Sequence, residues 1–278
     1  EAFGFVVNLE DETENNVIDA VIAHEMAHQW WAHQEVSANM QGGTMLTESF
    51  SEYSSLMVMK KALNNDMRMT EFLKYDYDRY LNGRSGESQK ELPLYKVENQ
   101  QYIHYGKGSV VLYSLQDYIG EANVNAAMRE FLEEFRYKAP PYPTSMDFLK
   151  HLDKHVPDSL KYLVDDLFKA ITLYDLRLND ATMKEVDGKY EVELSIEAHK
   201  VYADTLGYET PSDLHDWVDI GLFADEDEEE LIMYQRVLMH RENLTFTLVC
   251  DKKPLKAAID PRRVLIERVI KDNVKTIK

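Results

Sequence analysis

The sequence predicts an α+β chain, with helices to about residue 172 and a small antiparallel β-sandwich over 173–278. Three observations carry this expectation. In the first part apolar residues recur at three- and four-residue spacing, as in Val124, Ala127, Met128, Phe131, Leu132 and Phe135, which places them on one face of a helix. After about Leu173 the period changes to two. "YEVELSIE" sets Tyr190, Val192, Leu194 and Ile196 on one side, and "LTFTLVC" does the same with Leu244, Phe246, Leu248 and Cys250, as half-buried strands do. Finally, 278 residues of which 44 % are hydrophobic can bury the core of one large domain or two ordinary ones.

Taken in order, "FGFVVNL" over 3–9 reads as a short strand, and the acidic turn "EDETENN" leads into a helix from about Asn16 to Gln34. The apolar face of that helix uses Val17, Ile18, Val21, Ile22, Met26, Ala27 and Trp30. The loop "VSANMQGGT" separates it from a second helix over about Met45 to Leu63. Further helices are expected at about 69–82, 107–119 with Gly120 ending it, 121–136, 144–154 and 157–171. Thr144 to Asp147 resembles a capping box, and Pro157 suits a first helical turn. In the second part "WVDIGLFA" and "LIMYQRVLM" flank the acidic run 225–230, which fits a hairpin tip. Asp260-Pro261 reads as a turn after a strand. Cys250, the single cysteine, excludes a disulfide framework and reads as a buried thiol.

Composition also narrows the function. The 50 acidic against 31 basic residues give a formal net charge of -19, which argues against nucleic-acid binding through phosphate neutralisation. No apolar run approaches the ~18 to 20 residues of a membrane span. The first residues lack a basic leader with an apolar core, and the chain does not begin with Met. It therefore reads as a portion of a longer polypeptide, with any membrane anchor in the portion not shown. Compartment and oligomeric state stay open.

The chemistry lies in the helices. In "VIAHEMAHQWW" residues His24 and His28 are four apart, so both imidazoles stand on one helical face and can reach one ion. Glu25, one residue after the first histidine, projects beside such a metal, where it could take a proton from water. A catalytic zinc takes three protein ligands and leaves a fourth position open. The third ligand is expected from a neighbouring helix, and "LTESFSEY" offers Glu48 and Glu52 one turn apart.

"HEMAHQWW" followed by "LTESFSEY" resembles the zinc aminopeptidases of the aminopeptidase N type, gluzincins whose ligand glutamate lies in a segment of the form L-x-E-G-F-x-x-Y. The resemblance implies Zn²⁺ held by His24, His28 and Glu48. Residues 29–47 between them are one more than the family's usual spacing, which implies an insertion in "VSANMQGGT". Glu52 has no counterpart in that pattern; it is either an acceptor for a ligand histidine or a surface group. "YIHYGKGSVVLYSL" is similar to the family's tyrosine-x-K-G stretch, which makes Tyr105 the donor to the tetrahedral intermediate. "EAFGFV" is similar to the end of the family's G-x-M-E-N-W-G-L-I strand, with Ala2 and Phe3 in place of Asn and Trp, and it puts Glu1 where the family binds the substrate's free amine. His104 matches no position.

The motifs cover residues 1–120, and the family's thermolysin-like catalytic domain suits the helices to 172. In that fold a β lobe precedes the HExxH helix, so most of the lobe would be missing from this chain. A looser resemblance runs to aminopeptidase-like domains attached to bacterial transporter-type membrane proteins. Three functions follow from these likenesses. The first is an aminopeptidase acting on peptides, with Glu25 as base and Tyr105 as oxyanion donor. The second is a zinc endopeptidase with the same core but no amine selection. The third is a peptide-binding or structural domain that keeps the zinc fold without turnover.

Overall fold

The computed structural model describes residues 12–278, with side chains from Asn16 onward. Glu1 and the strand expected over 3–9 lie outside the described residues. The architecture is α+β, with helices first and two antiparallel sheets after them. The chain separates into two compact units. One holds the chain up to Asn65 with Asp78–Gly83 and Leu92–Lys169; the other holds Asp66–Tyr77, Arg84–Glu91 and Ala170–Lys278. No helix among the described residues is long and apolar enough to cross a membrane.

The helical unit begins with α1, Glu12–Ala27. This helix ends seven residues before the expected Gln34, although "QWWAHQ" contains neither Gly nor Pro. Ala32 explains the early stop: its φ of 100° turns the chain back, and the Ala32 amide donates to the Glu35 carbonyl at 2.9 Å. Trp31 is thereby swung into the core, where its ring meets Phe50 edge-on at 5.1 Å and its indole N–H donates to Ser54 Oγ. Much of the apolar stripe expected on α1 is open among the described residues. Val17, Val21, Ile22, Met26 and Trp30 are exposed, and Ala27 is buried.

A π turn over Met45–Ser49 opens α2, Phe50–Leu63, and α3 spans Asp66–Gly86. A second π turn, Tyr102–Lys107, opens α4, Gly108–Ile119; α5, Glu121–Phe135, and α6, Ser145–Asp153, follow. Asp147 accepts from the Thr144 amide at 2.9 Å, so the box seen in the sequence caps α6. The helix expected over 157–171 is broken into short turns over Asp158–Leu160, Tyr162–Val164 and Asp165–Lys169. The core of this unit is aromatic. Phe50 meets Phe148 at 4.6 Å and Phe131 at 6.2 Å, in edge-to-face contacts worth about 0.5–1.5 kcal/mol beyond burial, and these pin α2 against α5 and α6.

In the second unit the strands start at Ile171, two residues earlier than expected. They are β1, Ile171–Val186; β2, Lys189–Ala203; β3, Glu209–Ser212; β4, Asp216–Phe223; β5, Leu231–Met239; β6, Asn243–Cys250; β7, Lys256–Ile259; and β8, Val274–Thr276. β2 pairs antiparallel with β1, β3 and β6, and the second sheet runs β5-β4-β7-β8. Val192, Leu194 and Ile196 of β2 are buried as their alternation requires, as are Val218, Ile220 and Leu222 of β4. Asp187 and Gly188 both have positive φ, the two-residue turn that an Asp-Gly pair favours between twisted strands. The run 225–230 joins β4 to β5. The expected turn at Asp260 is confirmed, with its carboxylate accepting from the Val264 and Leu265 amides at 3.0 Å. Cys250 is only partly buried and is free, against the expectation of a buried thiol, because the outer end of β6 lies at the edge of the core.

Candidate metal centre and active site

α1 and α2 lie side by side, fastened by the Ser55 hydroxyl, which donates to the Ala20 carbonyl at 2.7 Å. That pairing sets His24, in the last turn of α1, and His28, in the turn just after it, opposite Glu48 in the π turn that precedes α2. Glu48 Oε2 lies 3.4 Å from His24 Nε2 and 3.6 Å from His28 Nε2. One ligand atom from each of the three residues falls within 4.8 Å of the others, and this is the one such group among the described residues. Glu48 Oε2 is buried without a hydrogen-bond partner among the described residues. A buried carboxylate oxygen left so is costly, and a cation between it and the two imidazole nitrogens would satisfy it. Two histidines and one carboxylate are also the donor types that zinc takes in catalytic sites.

The rear nitrogen of His28 is held as well. His28 Nδ1 is 3.0 Å from the Trp31 carbonyl, an acceptor only, so this nitrogen donates and leaves Nε2 its lone pair. Ser51 Oγ stands 3.0 Å from the same nitrogen. His24 Nδ1 is 3.4 Å from Glu52 Oε2. Outer partners of this kind fix the tautomer and orientation of a ligand imidazole. Glu52 thus lies behind His24, within ion-pair distance of its Nδ1 but without a hydrogen bond to it. Burial works against a charge on His24, but the flanking Glu48 and Glu52 carboxylates outweigh it and raise its pKa to about 9. On Glu48 burial pulls upward, yet His24, the Tyr105 hydroxyl and His28 together hold its pKa below the usual carboxylate value.

Tyr105 comes from the second π turn. Burial followed by the nearby Glu48 carboxylate raises its pKa well above the ordinary phenol value. The Tyr105 and His24 ring centroids are 5.9 Å apart. The two π turns are locked together because Ser49 Oγ, buried next to Glu48, donates to the His104 carbonyl at 2.6 Å, and a side chain on Gly108 would collide with Ser49. π turns interrupt helices at functional sites with some frequency. Here they carry the carboxylate and the phenol. His104 itself is buried, with Nδ1 3.4 Å from the Glu98 carbonyl and its ring against Tyr105. Burial lowers its pKa.

The structure therefore brings His24, His28, Glu48 and Tyr105 into one cluster, with Glu52 and Ser51 behind it. Glu25 sits beside them on α1, exposed. Glu1 lies outside the described residues. Sequence reasoning missed Ser51, Ser49 and Arg79, whose guanidinium lies over the Tyr105 ring at 4.4 Å. No spacing rule marked any of the three.

A family model described as the Peptidase family M1 domain matches residues 5–167. The chain belongs to peptidase family M1. The match spans the segments that carry His24, His28, Glu48 and Tyr105. Endoplasmic reticulum aminopeptidase 2 of Homo sapiens is 26 % identical over 126 residues, covering 44 % of this chain and 13 % of that protein. Probable aminopeptidase 1 of Sulfurisphaera tokodaii is 28 % identical over 127 residues, covering 43 % of this chain and 16 % of that protein. The chain thus spans only a small part of the length of these relatives. Among solved structures, Legionella pneumophila aminopeptidase A in complex with aspartic acid superposes with a TM-score of 0.52 at 14 % identity, over 90 % of this chain and 27 % of that one, a likeness of fold alone.

Proposed function

We propose that this M1 chain carries the zinc centre of an aminopeptidase, which removes N-terminal residues from peptides. The observation that carries the reading is the convergence of His24 Nε2 and His28 Nε2 on the unpartnered Oε2 of Glu48. M1 membership and the aminopeptidase names of the relatives support the substrate class. Zinc bound by His24, His28 and Glu48 would supply Lewis-acid polarisation of the water and of the scissile carbonyl. Glu25 accepts the proton of the attacking water and returns it to the leaving amine, work worth about 10²–10⁴ in rate. Tyr105 donates its hydroxyl to the developing oxyanion, a preorganised donor. Glu52, Trp31 and Ser51 keep the two imidazoles in position. Glu1 is proposed as the carboxylate that selects a free α-amine, and the division into a catalytic domain to 172 and a sandwich from 173 belongs to the same proposal.

The test is zinc content together with aminoacyl-anilide hydrolysis by the full-length protein and by its Glu25→Gln variant. About one zinc per chain is expected in both, with hydrolysis lost by at least about 10²-fold in the variant. Undiminished activity in Glu25→Gln would refute the mechanism. Equal cleavage of free-amine and N-acetylated peptides would replace the aminopeptidase reading with an endopeptidase one.

A further inference from the structure

We propose that Arg79 is a substrate-binding residue of this site, which takes a carboxylate of the peptide through its in-plane N–H donors; the inference rests on the peptidase reading above. Its Cζ lies over the Tyr105 ring, 4.4 Å from the centroid. A guanidinium over a ring uses none of its N–H donors on the π face, and those donors match a carboxylate in bidentate fashion. Those donors are unused, because Arg79 makes no hydrogen bond or ion pair among the described residues. Acidic groups are abundant in this chain, 50 against 31 basic, and some arginines hold them, as Arg177 does Asp272, Arg236 Asp219 and Arg268 Glu209; Arg79 holds none among the described residues.

The position of Arg79 is also fixed rather than a chance of surface rotamers. Residues 78–83 of α3 pack on the π turn that carries Tyr105. Tyr80 stacks on Tyr102 with centroids 6.1 Å apart and nearly parallel planes, Lys107 Nζ lies 5.6 Å from the Tyr80 centroid, and a side chain on Gly83 would collide with Tyr102. Arg79 is half-buried, so a carboxylate reaching it would leave bulk water for a partly desolvated pair, where charge-assisted hydrogen bonds gain strength. The stack alone does not require a guanidinium with free donors, since a cation over a phenol ring contributes only modestly when exposed.

Because Tyr105 is the proposed donor to the scissile carbonyl, the carboxylate that Arg79 reaches belongs to a residue next to the scissile bond. It is either an acidic side chain or the C-terminal carboxylate of a short peptide. Two substrate pairs distinguish these sources: Ala-Glu-amide against Ala-Gln-amide for the side chain, and Ala-Ala against Ala-Ala-amide for the terminus. With zinc-loaded full-length protein, kcat/KM should favour the carboxylate member of at least one pair by tenfold or more, chiefly through KM. In Arg79→Met that ratio should collapse toward one, and in Arg79→Lys it should be partly retained. Zinc content and Tm report whether each variant folds, and Arg79→Gln replaces Arg79→Met if the latter does not. An equal loss on carboxylate and amide members would make Arg79 a positioning residue for Tyr105 and overturn the proposal, as would the absence of any preference in the parent protein. Calorimetric binding of the same four peptides to the Glu25→Gln protein separates this from failure of the peptidase reading. Arg79-dependent preference in binding without hydrolysis by the parent would sink the enzyme while leaving the carboxylate site standing. Hydrolysis without preference would do the reverse.

Discussion

Tyr105 and Ala32 show how much a single side chain decides here. The Tyr105 ring stands 5.9 Å from that of His24 between centroids and lies under Arg79. Tyr105→Phe keeps the ring and removes only the donor. On the proposed mechanism kcat falls about 10²–10³-fold, the range for loss of one oxyanion donor, with zinc content unchanged. A kcat within threefold of the parent would return Tyr105 to a packing role. Ala32 makes a different point, because a φ of 100° is a conformation that costs a non-glycine residue about 1–3 kcal/mol. Ala32→Gly relieves that strain against a smaller entropic cost, so the protein should gain about 1 kcal/mol, seen as a rise in Tm of about 2–4 °C. A fall in Tm would show that the Ala32 methyl contributes packing that outweighs the strain. The histidine pair and Glu48 were legible from spacing and resemblance. Arg79 was not, because a stacking contact between residues 79 and 105 leaves no periodic trace in the sequence.

At the scale of elements, the segment after α1 has its own chemistry. Glu35 is buried, with both carboxyl oxygens unpartnered among the described residues, and burial raises its pKa from 4.5 to about 8. The folded state therefore holds this proton more tightly than the unfolded chain does. Its contribution to stability is complete below about pH 4.5, declines as the pH rises, and is gone above about pH 8. Across that window Glu35→Gln should remove a stability loss on the order of a few kcal/mol, measured as urea-unfolding free energy at several pH values. Identical slopes for parent and variant would show that the carboxyl is solvated in solution. The helix that the sequence extended to Gln34 ends at Ala27, because burying Trp31 against Phe50 overrides a helical pattern that no Gly or Pro interrupts. The π turns were equally invisible. They depend on which carbonyl each amide reaches, and composition does not encode that choice. β1 was missed although its Asp187-Gly188 turn is a strong hairpin signal, since "DLRLNDATMKEV" alternates only weakly.

For the whole molecule, charge is the property that the sequence states outright. A net charge of -19 repels itself in the compact state, and the Debye length shortens from about 30 Å at 0.01 M salt to about 8 Å at 0.15 M. Tm should therefore rise over that interval, and a Tm that is flat or falls with sodium chloride would contradict the argument. The sequence by itself determined the α+β class, through the change of period near residue 172. It also determined the candidate ligand pair, because spacing of four on a helix places side chains on one face whatever surrounds them. Only the tertiary structure decided that Glu48 Oε2 meets both Nε2 atoms, that Glu52, Trp31 and Ser51 stand behind the rings, and that Arg79 covers Tyr105. Each of these joins residues far apart in the chain, and their distances are set by how aromatic and small side chains pack between helices, which local propensity does not fix.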